Sequence, residues 1–186
     1  MQLFREFLKY YKPYKFIFFL DMLAAITISV IDLAFPQILN YLNDTFYLQT
    51  KEAIYQSLGI LAVGLLVMYA LRSYCRYYVT AQGHIMGAQM ESDMRQDLFD
   101  QYERLSFSYY DKNNTGEMMS RLVSDLFDIS ELLHHGPEDL VISAIKIIGS
   151  FTILLTINVK LAFVAFAFIP VMGVFAFHYN GKMKKA

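Results

Sequence analysis

The sequence predicts an all-α membrane protein that crosses the bilayer four times, and three observations support this. Apolar residues make up 56 % of the 186 residues, above the roughly 45–50 % of an ordinary soluble domain. They are gathered in four blocks that are long enough to cross ~30 Å of hydrocarbon as helices. A long charged segment with helical periodicity separates the second block from the third. The predicted spans are 16–42, 54–79, 140–157 and 161–179.

The N-terminal segment, residues 1–15, is aromatic and basic. This composition favours a short helix that lies in the cytosolic membrane interface and ends near Pro13, although an irregular flank of the first span is the alternative. The first span contains Pro36, whose ring nitrogen carries no hydrogen. We therefore expect a kinked helix with one carbonyl that needs another donor.

The second span has no strong helix breaker at its end, so its helix is predicted to leave the membrane. From Ile54 to Leu105 it would measure about 78 Å at 1.5 Å per residue, and the polar turn Asp111–Gly116 would end it. Asn114 is the predicted N-cap of the next helix, with Glu117 completing a capping box. The expected apolar stripe of that helix is Met118, Met119, Leu122, Val123, Leu126, Ile129 and Leu133. Residues 80–139 are thus predicted to form a cytosolic helical hairpin.

The loops of the predicted spans differ in charge. Lys and Arg cluster in residues 1–15, 72–121 and 182–185, whereas the other two loops hold only Lys51 and Lys160. Because short loops rich in Lys and Arg stay in the cytosol, both chain ends are expected there. Asn158-Val159-Lys160 is the predicted tight connection between the last two spans.

Sequence signatures of catalysis and metal binding are absent. There is no GxxxxGK[ST] loop, HExxH or nucleophile elbow, so neither a catalytic nor a metal site is predicted. His134 and His135 are adjacent and should face different sides of a helix, so we interpret them as part of a helix that reaches the headgroups. Cys75 is the single cysteine and is interpreted as packing. The net charge of −1 gives no indication of nucleic-acid binding.

Charged residues inside the predicted spans are the main local indications of function, because charge in lipid is costly and usually faces a cavity or a partner. Asp32 and Lys146 lie deepest, and cavity lining, pairing between helices and contact with a further helix all remain open for them. Asp21 is expected to snorkel at the cytosolic end of its span. Arg72 and Arg76 are interpreted as anchors at the membrane boundary.

The hairpin sequence carries a long, spaced set of residues. Arg95 and Leu98-Phe99 precede the run LSFSYYDKNNTGEMMSRLVSD, which extends from residue 105 to residue 125. This run resembles the first intracellular loop of ABC exporters, whose pattern reads approximately R…LF…LxxLSFxFFDxxxTGxLxSRLxxD. The aromatic N-terminus, Pro36 and the tight connection near Asn158 are also similar to that family, so the resemblance covers essentially the whole chain.

The resemblance implies an ABC-exporter-type transmembrane domain, all-α and truncated, because family members have six helices and this sequence stops within the fourth. A fragment, a truncated reading frame or one piece of a larger assembly is therefore expected. The implied partners are a nucleotide-binding domain that holds ATP and Mg²⁺, a second transmembrane half (a homo- or heterodimer), the lipid membrane and an unidentified transported substrate. The implied location is the bacterial inner membrane.

The resemblance also assigns roles to residues. A coupling helix near 110–116 would contact the ATPase domain, through Tyr109, Tyr110, Asp111, Lys112, Asn113, Asn114, Thr115 and Gly116. Arg121 and Asp125 would support the hairpin, and Asp32 and Lys146 are candidates for the translocation path. An ATPase-less binding or regulatory module of the same fold is the alternative. The chain would take part in ATP hydrolysis only with an ATPase domain supplied.

Overall fold

The computed structural model describes residues 7–46 and 51–183, with side chains for 7–43 and 58–179. Every regular element in these ranges is a helix, as predicted. The helices are α1 (Lys15–Phe46), α2 (Lys51–Glu103), α3 (Phe107–Tyr110), α4 (Thr115–Ser120), α5 (Leu126–Ile157), α6 (Val159–Phe166) and α7 (Phe168–Met183), with a π-helical turn at Arg121–Asp125 between α4 and α5.

Four stretches of the described chain are long and apolar enough to cross a membrane. They are Lys15–Asn43, Leu58–Glu103, Thr115–Ile157 and Val159–Tyr179. This result confirms a multi-pass helical membrane protein. The cytosolic placement of the chain ends stays a prediction.

The N-terminal segment is helical at residues 7–10 and forms turns at residues 11–14 before α1 begins. The helix therefore ends at Tyr10, three residues before the predicted end at Pro13. Residues 1–6 of the predicted interfacial helix lie outside the described part of the chain.

Helices α1 and α2 pack through small side chains in the membrane region. Ala24 and Ile28 of α1 form a buried cluster with Cys75 and Val79 of α2. Cys75 is 8 % exposed, which confirms its interpretation as a packing residue. The small alanine and cysteine side chains let the two backbones approach closely.

Helix α2 continues without a break from the second apolar block into the charged segment, as predicted, and its 53 residues correspond to about 80 Å. It ends at Glu103, however, and not at the polar turn, so the predicted end was wrong. Ser106 adopts an extended backbone (φ −73°, ψ 154°) and precedes the single turn α3. The Tyr102 carbonyl near the end of α2 accepts both the Leu105 amide at 3.0 Å and the Tyr110 hydroxyl at 2.6 Å.

The two legs of the hairpin meet through a row of methionines and leucines. Met86, Met90 and Met94 of α2 are 0 to 4 % exposed, and Met118, Leu122 and Leu126 are 6 to 8 % exposed. The predicted stripe is only partly correct, since Met119 and Val123 are 57 % and 55 % exposed. Further along α5 the buried positions are occupied by polar residues, namely Ser130, His134 and Glu138.

The contacts within the chain define two units, Met1–Ser143 and Ala144–Ala186. In the second unit Asn158 caps α6 by accepting the Leu161 amide at 3.1 Å, which confirms the predicted tight connection. Phe151 packs against Phe166 with ring centroids 4.6 Å apart. The fourth span is interrupted at Ala167. Pro170 explains the interruption, because it has no amide hydrogen for the Phe166 carbonyl.

Candidate functional site

The tip of the hairpin, residues 104–117, is a short turn stabilised by its own polar groups. The Asn114 side chain accepts the Gly116 amide at 2.8 Å, which confirms Asn114 as the N-cap of α4. The Asn113 side chain donates to the Tyr109 carbonyl at 2.8 Å. These short-range bonds stabilise the turn without any contact to a distant part of the chain.

The predicted coupling residues occupy this tip, but they do not form one helix. Residues 110–116 comprise the end of α3, an exposed turn and the start of α4. The rings of Tyr109 and Tyr110 are half-buried and meet edge to face with centroids 6.1 Å apart. The Tyr110 hydroxyl is turned inward onto α2, so Tyr110 offers less free surface than the sequence suggested.

The most exposed aromatic residue of the tip is Phe107, which the sequence analysis did not single out. Its exposure is 91 %, and Ser106 and Ser108 flank it in the sequence. An aromatic residue between two serines, outside any apolar stripe, was the available signal. A large apolar side chain on a protruding turn is typical of a contact point for a partner.

A π-helical turn at Arg121–Asp125 connects the tip to α5. Its wider turn changes the local carbonyl pairing, and the Arg95 Nε donates to the Leu122 carbonyl at 3.0 Å. Arg95 also forms an ion pair with Glu91. The motif arginine of α2 thus holds the two legs of the hairpin together.

Arg121 supports the hairpin only at its surface. Its guanidinium lies 2.7 Å from Glu117, and both side chains are more than half exposed. Such a pair contributes little to stability. Because Glu117 is turned toward Arg121, the predicted capping box is reduced to the Asn114 cap. Asp125 is exposed within the π-helical turn.

The N-terminal strap, defined as residues 7–14, is bonded to the hairpin through tyrosine hydroxyls. Tyr10 donates to Asp97 at 2.8 Å, and Tyr14 donates to Asp93 at 2.9 Å. Burial raises the pKa of the Tyr14 phenol above 10.0, and the hydrogen bond to Asp93 adds to the effect. The sequence analysis assigned the aromatic residues of this segment to the membrane interface, whereas these hydroxyls bind protein.

The third strap contact lies on the other leg of the hairpin. The Tyr11 hydroxyl donates to the Leu133 carbonyl, and burial raises the pKa of Tyr11. Pro137 lies four residues after Leu133 inside α5 and supplies no amide hydrogen to that carbonyl. Tyr11 therefore replaces the missing helical donor, and the strap spans both legs.

Asp32 and Arg72 form an ion pair between α1 and α2. The Arg72 Nε lies 2.7 Å from the Asp32 carboxylate, with the side chains 35 % and 22 % exposed. This contact favours pairing between helices among the alternatives left open for Asp32. Arg72 is therefore more than the predicted boundary anchor. Lys146 lies in the second unit, on α5, and its part in a translocation path stays a prediction.

A buried polar cluster lies at the base of the hairpin. Asp21 is 0 % exposed, so the predicted snorkelling side chain was wrong, and its carboxylate points into the protein. The His134 and His135 rings do not diverge as expected, since their centroids are 4.4 Å apart. His84 of α2 lies 5.3 Å and 5.2 Å from these two rings.

Comparison with known proteins identifies the family. The sequence model of the ABC transporter transmembrane region matches residues 18–186. The chain is 44 % identical over 182 residues to YwjA, an ABC transporter ATP-binding protein of Bacillus subtilis (strain 168), a match that covers 98 % of the chain and 31 % of the relative. It is 25 % identical over 186 residues to an ATP-dependent lipid A-core flippase of Shewanella oneidensis, covering 92 % of the chain and 31 % of that protein.

The chain spans about a third of the length of the curated relatives that it matches. The family match extends from the first membrane helix to the last residue, and it includes the whole hairpin. Together with the all-helical, four-span architecture, it confirms the predicted resemblance. The chain belongs to the ABC transporter transmembrane family and has the exporter-type fold.

Proposed function

We propose that this chain forms the front part of the membrane domain of an ATP-driven exporter, and that its hairpin tip docks on the ATP-binding domain. The observation that supports the docking role best is the tip itself. Phe107 is 91 % exposed, and the turn beside it is fixed by the Asn113 and Asn114 hydrogen bonds. A fixed turn with an exposed aromatic residue suits a contact that forms and releases repeatedly.

The remainder of the hairpin suits the transmission of a movement. Two packed legs, joined at Arg95 and Leu122, connect the tip to the membrane helices. The strap bonds through Tyr10 and Tyr14 to one leg and through Tyr11 to the other. A shift at the tip would therefore reach α1 through the strap as well as through α2.

The partners and the substrate path are part of the same proposal. ATP and Mg²⁺ would bind in the nucleotide-binding domain, and a second membrane half would complete the path for the substrate. YwjA is named an ATP-binding protein and the Shewanella relative an ATP-dependent flippase, which supports an ATP-binding partner domain. We place the chain in the bacterial inner membrane, with the tip in the cytosol.

Site-specific cross-linking tests the docking role. Cys75 is the single cysteine of the chain and is replaced by serine, after which Lys112→Cys provides an exposed thiol at the tip. A bifunctional reagent should then join this cysteine to the ATP-binding domain in host membranes, as detected by mass spectrometry of the joined peptides.

Asp128→Cys is the matched control, since Asp128 is also exposed but lies on the leg, about 20 Å of helix away from the tip at 1.5 Å per residue. Equal cross-linking from the two positions, or none from the tip, would contradict the docking role.

A further inference from the structure

The buried polar cluster joins three helices. Asp21 comes from α1, His84 from α2, and His134, His135 and Glu138 come from α5. His134 and Glu138 are only 2 % and 5 % exposed. The proposed function above uses none of these side chains.

The most buried atoms of the cluster lack hydrogen-bond partners. Among the described residues, nothing bonds to either carboxylate oxygen of Asp21 or to either ring nitrogen of His134, although all four atoms are shielded from solvent. Buried polar groups are almost always bonded to protein, to water or to an ion. The arrangement therefore calls for a ligand that accepts electron pairs from oxygen and nitrogen together.

The spacing of these atoms suits a metal ion. One ligand atom each from Asp21, His134 and Glu138 lies within 4.8 Å of the others. Around tetrahedral zinc, with bonds of about 2.0–2.1 Å, ligand atoms are about 3.4 Å apart. Small rotations of the three side chains would bring their ligand atoms from the present separations to the separation that zinc requires. The contact from His135 to Glu138 is 3.7 Å long, too long to hold Glu138 as a hydrogen bond.

The position of His134 is fixed by a glycine on the opposite helix. A Cβ atom at Gly83 would lie 2.0 Å from His134 Cε1 and 2.6 Å from Nε2. The imidazole ring thus occupies the space that a side chain at Gly83 would fill. One ring nitrogen of His134 also lies within 4.8 Å of a carboxylate oxygen of Asp21.

The charge of the site suits a divalent cation. Asp21 and Glu138 bring two carboxylates to the centre of the cluster. Arg76 and Asp139 lie on the wall of the adjoining cavity of about 540 Å³, and their opposite charges offset each other. A divalent ion would balance the two buried carboxylates, which are otherwise costly to bury.

We propose that Asp21, His134 and Glu138 bind one divalent transition-metal ion of the zinc class, which ties α1 to α5 at the base of the hairpin. Nitrogen and carboxylate ligands in this number are typical of zinc sites. A second set, His84 with His134 and His135, also has the required spacing. We assign the ion to the first set because it is fully buried and contains the unpartnered Asp21 atoms.

Metal titration of the protein, solubilised in detergent from its membranes, tests the site. One Zn²⁺ per chain is expected by calorimetry, and one Co²⁺ by visible absorption, each with a rise in the melting temperature. Asp21→Asn and Glu138→Gln preserve side-chain size, and each should weaken binding more than about a hundredfold, beyond the roughly 10–100-fold effect of losing an outer-shell contact. His134→Gln should do the same.

Two controls complete the experiment. His178→Gln removes an exposed imidazole of α7, and His84→Gln removes one from the second set, so both should retain the metal. An unchanged metal-free melting temperature in Asp21→Asn would show that it folds. The proposal is overturned if the original protein binds no metal, if Asp21→Asn binds it equally well, or if His84→Gln abolishes binding. A failed docking test at the tip would leave this result unaffected.

Discussion

Replacing Gly83 of α2 by alanine adds one methyl group where the helix contacts His134 of α5. The new Cβ would lie 2.0 Å from Cε1, 2.6 Å from Nε2 and 3.0 Å from Nδ1 of His134. No rotation of the alanine can relieve this overlap, because Cβ is fixed by the backbone. Either the His134 ring leaves its place or the two helices separate.

Two opposing effects set the size of the change. Overpacking of a fitted contact costs about 1–3 kcal/mol, whereas alanine in place of glycine gains about 0.5–1 kcal/mol in a helix. Gly64→Ala, in the same helix, is the matched control because a Cβ at Gly64 meets nothing within 4 Å. The free energies of unfolding of the two variants should therefore differ by about 1–3 kcal/mol.

Thermal unfolding in detergent measures this difference. At about 2–4 °C per kcal/mol for a chain of this size, Gly83→Ala should melt roughly 2–12 °C below Gly64→Ala. Gly83→Ala should lower the melting temperature less when His134 is already replaced by alanine than it does in the original protein. The added methyl group then enters the space that the imidazole ring has vacated. Equal melting temperatures for the two glycine variants would refute the close contact between Gly83 and His134.

Three further predictions concern the strap and the ion pair. Tyr11→Phe removes the donor to the Leu133 carbonyl and should cost about 1–3 kcal/mol of unfolding free energy in thermal melts. A double-mutant cycle of Asp32→Asn with Arg72→Gln should give a coupling energy of about 0.5–3 kcal/mol. Because burial and its hydrogen bond raise the pKa of Tyr14, its stabilisation is complete below pH 10.0 and is lost as the pH rises through the folded value. Between pH 9 and pH 11, a range around the ordinary phenol pKa, the melting temperature of Tyr14→Phe should therefore fall less than that of the original protein.

Matched variants separate these effects from general damage. Tyr77→Phe removes the hydroxyl of a tyrosine that is 71 % exposed, and it should leave the melting temperature unchanged. If Tyr77→Phe and Tyr11→Phe had equal effects, the strap would not support the α5 carbonyl. A coupling energy of zero would show that the Asp32–Arg72 pair is not formed in the membrane.

The membrane helices could be predicted from the sequence because a bilayer imposes length and apolarity on each span separately. The extension of the second helix beyond its span could also be predicted, because no strong helix breaker follows Arg72 or Arg76. The hairpin motif then identified the family. Each of these signals is local in the sequence, and each was confirmed by the helices or by the family match.

The buried cluster could not be predicted in the same way, because it depends on contacts between distant residues. Asp21 was expected to snorkel, since a carboxylate near a span end usually reaches water. His134 was interpreted from its adjacency to His135 in the sequence, whereas the space around its ring is set by Gly83 on another helix. The sequence analysis did not consider Pro137. The carbonyl that this proline leaves without a helical donor, that of Leu133, is bonded by Tyr11 from a distant part of the chain.

Hydrogen–deuterium exchange at the hairpin tip tests the central claim most directly. The amides of residues 105–117 are compared in host membranes with the ATP-binding domain present and after its removal, and residues 86–94 in the buried part of α2 serve as the internal reference. The account predicts slower exchange at the tip with the domain present, little change in the reference, and loss of the protection in Phe107→Ala. Equal exchange at the tip in both states would contradict the docking of this hairpin on an ATPase domain.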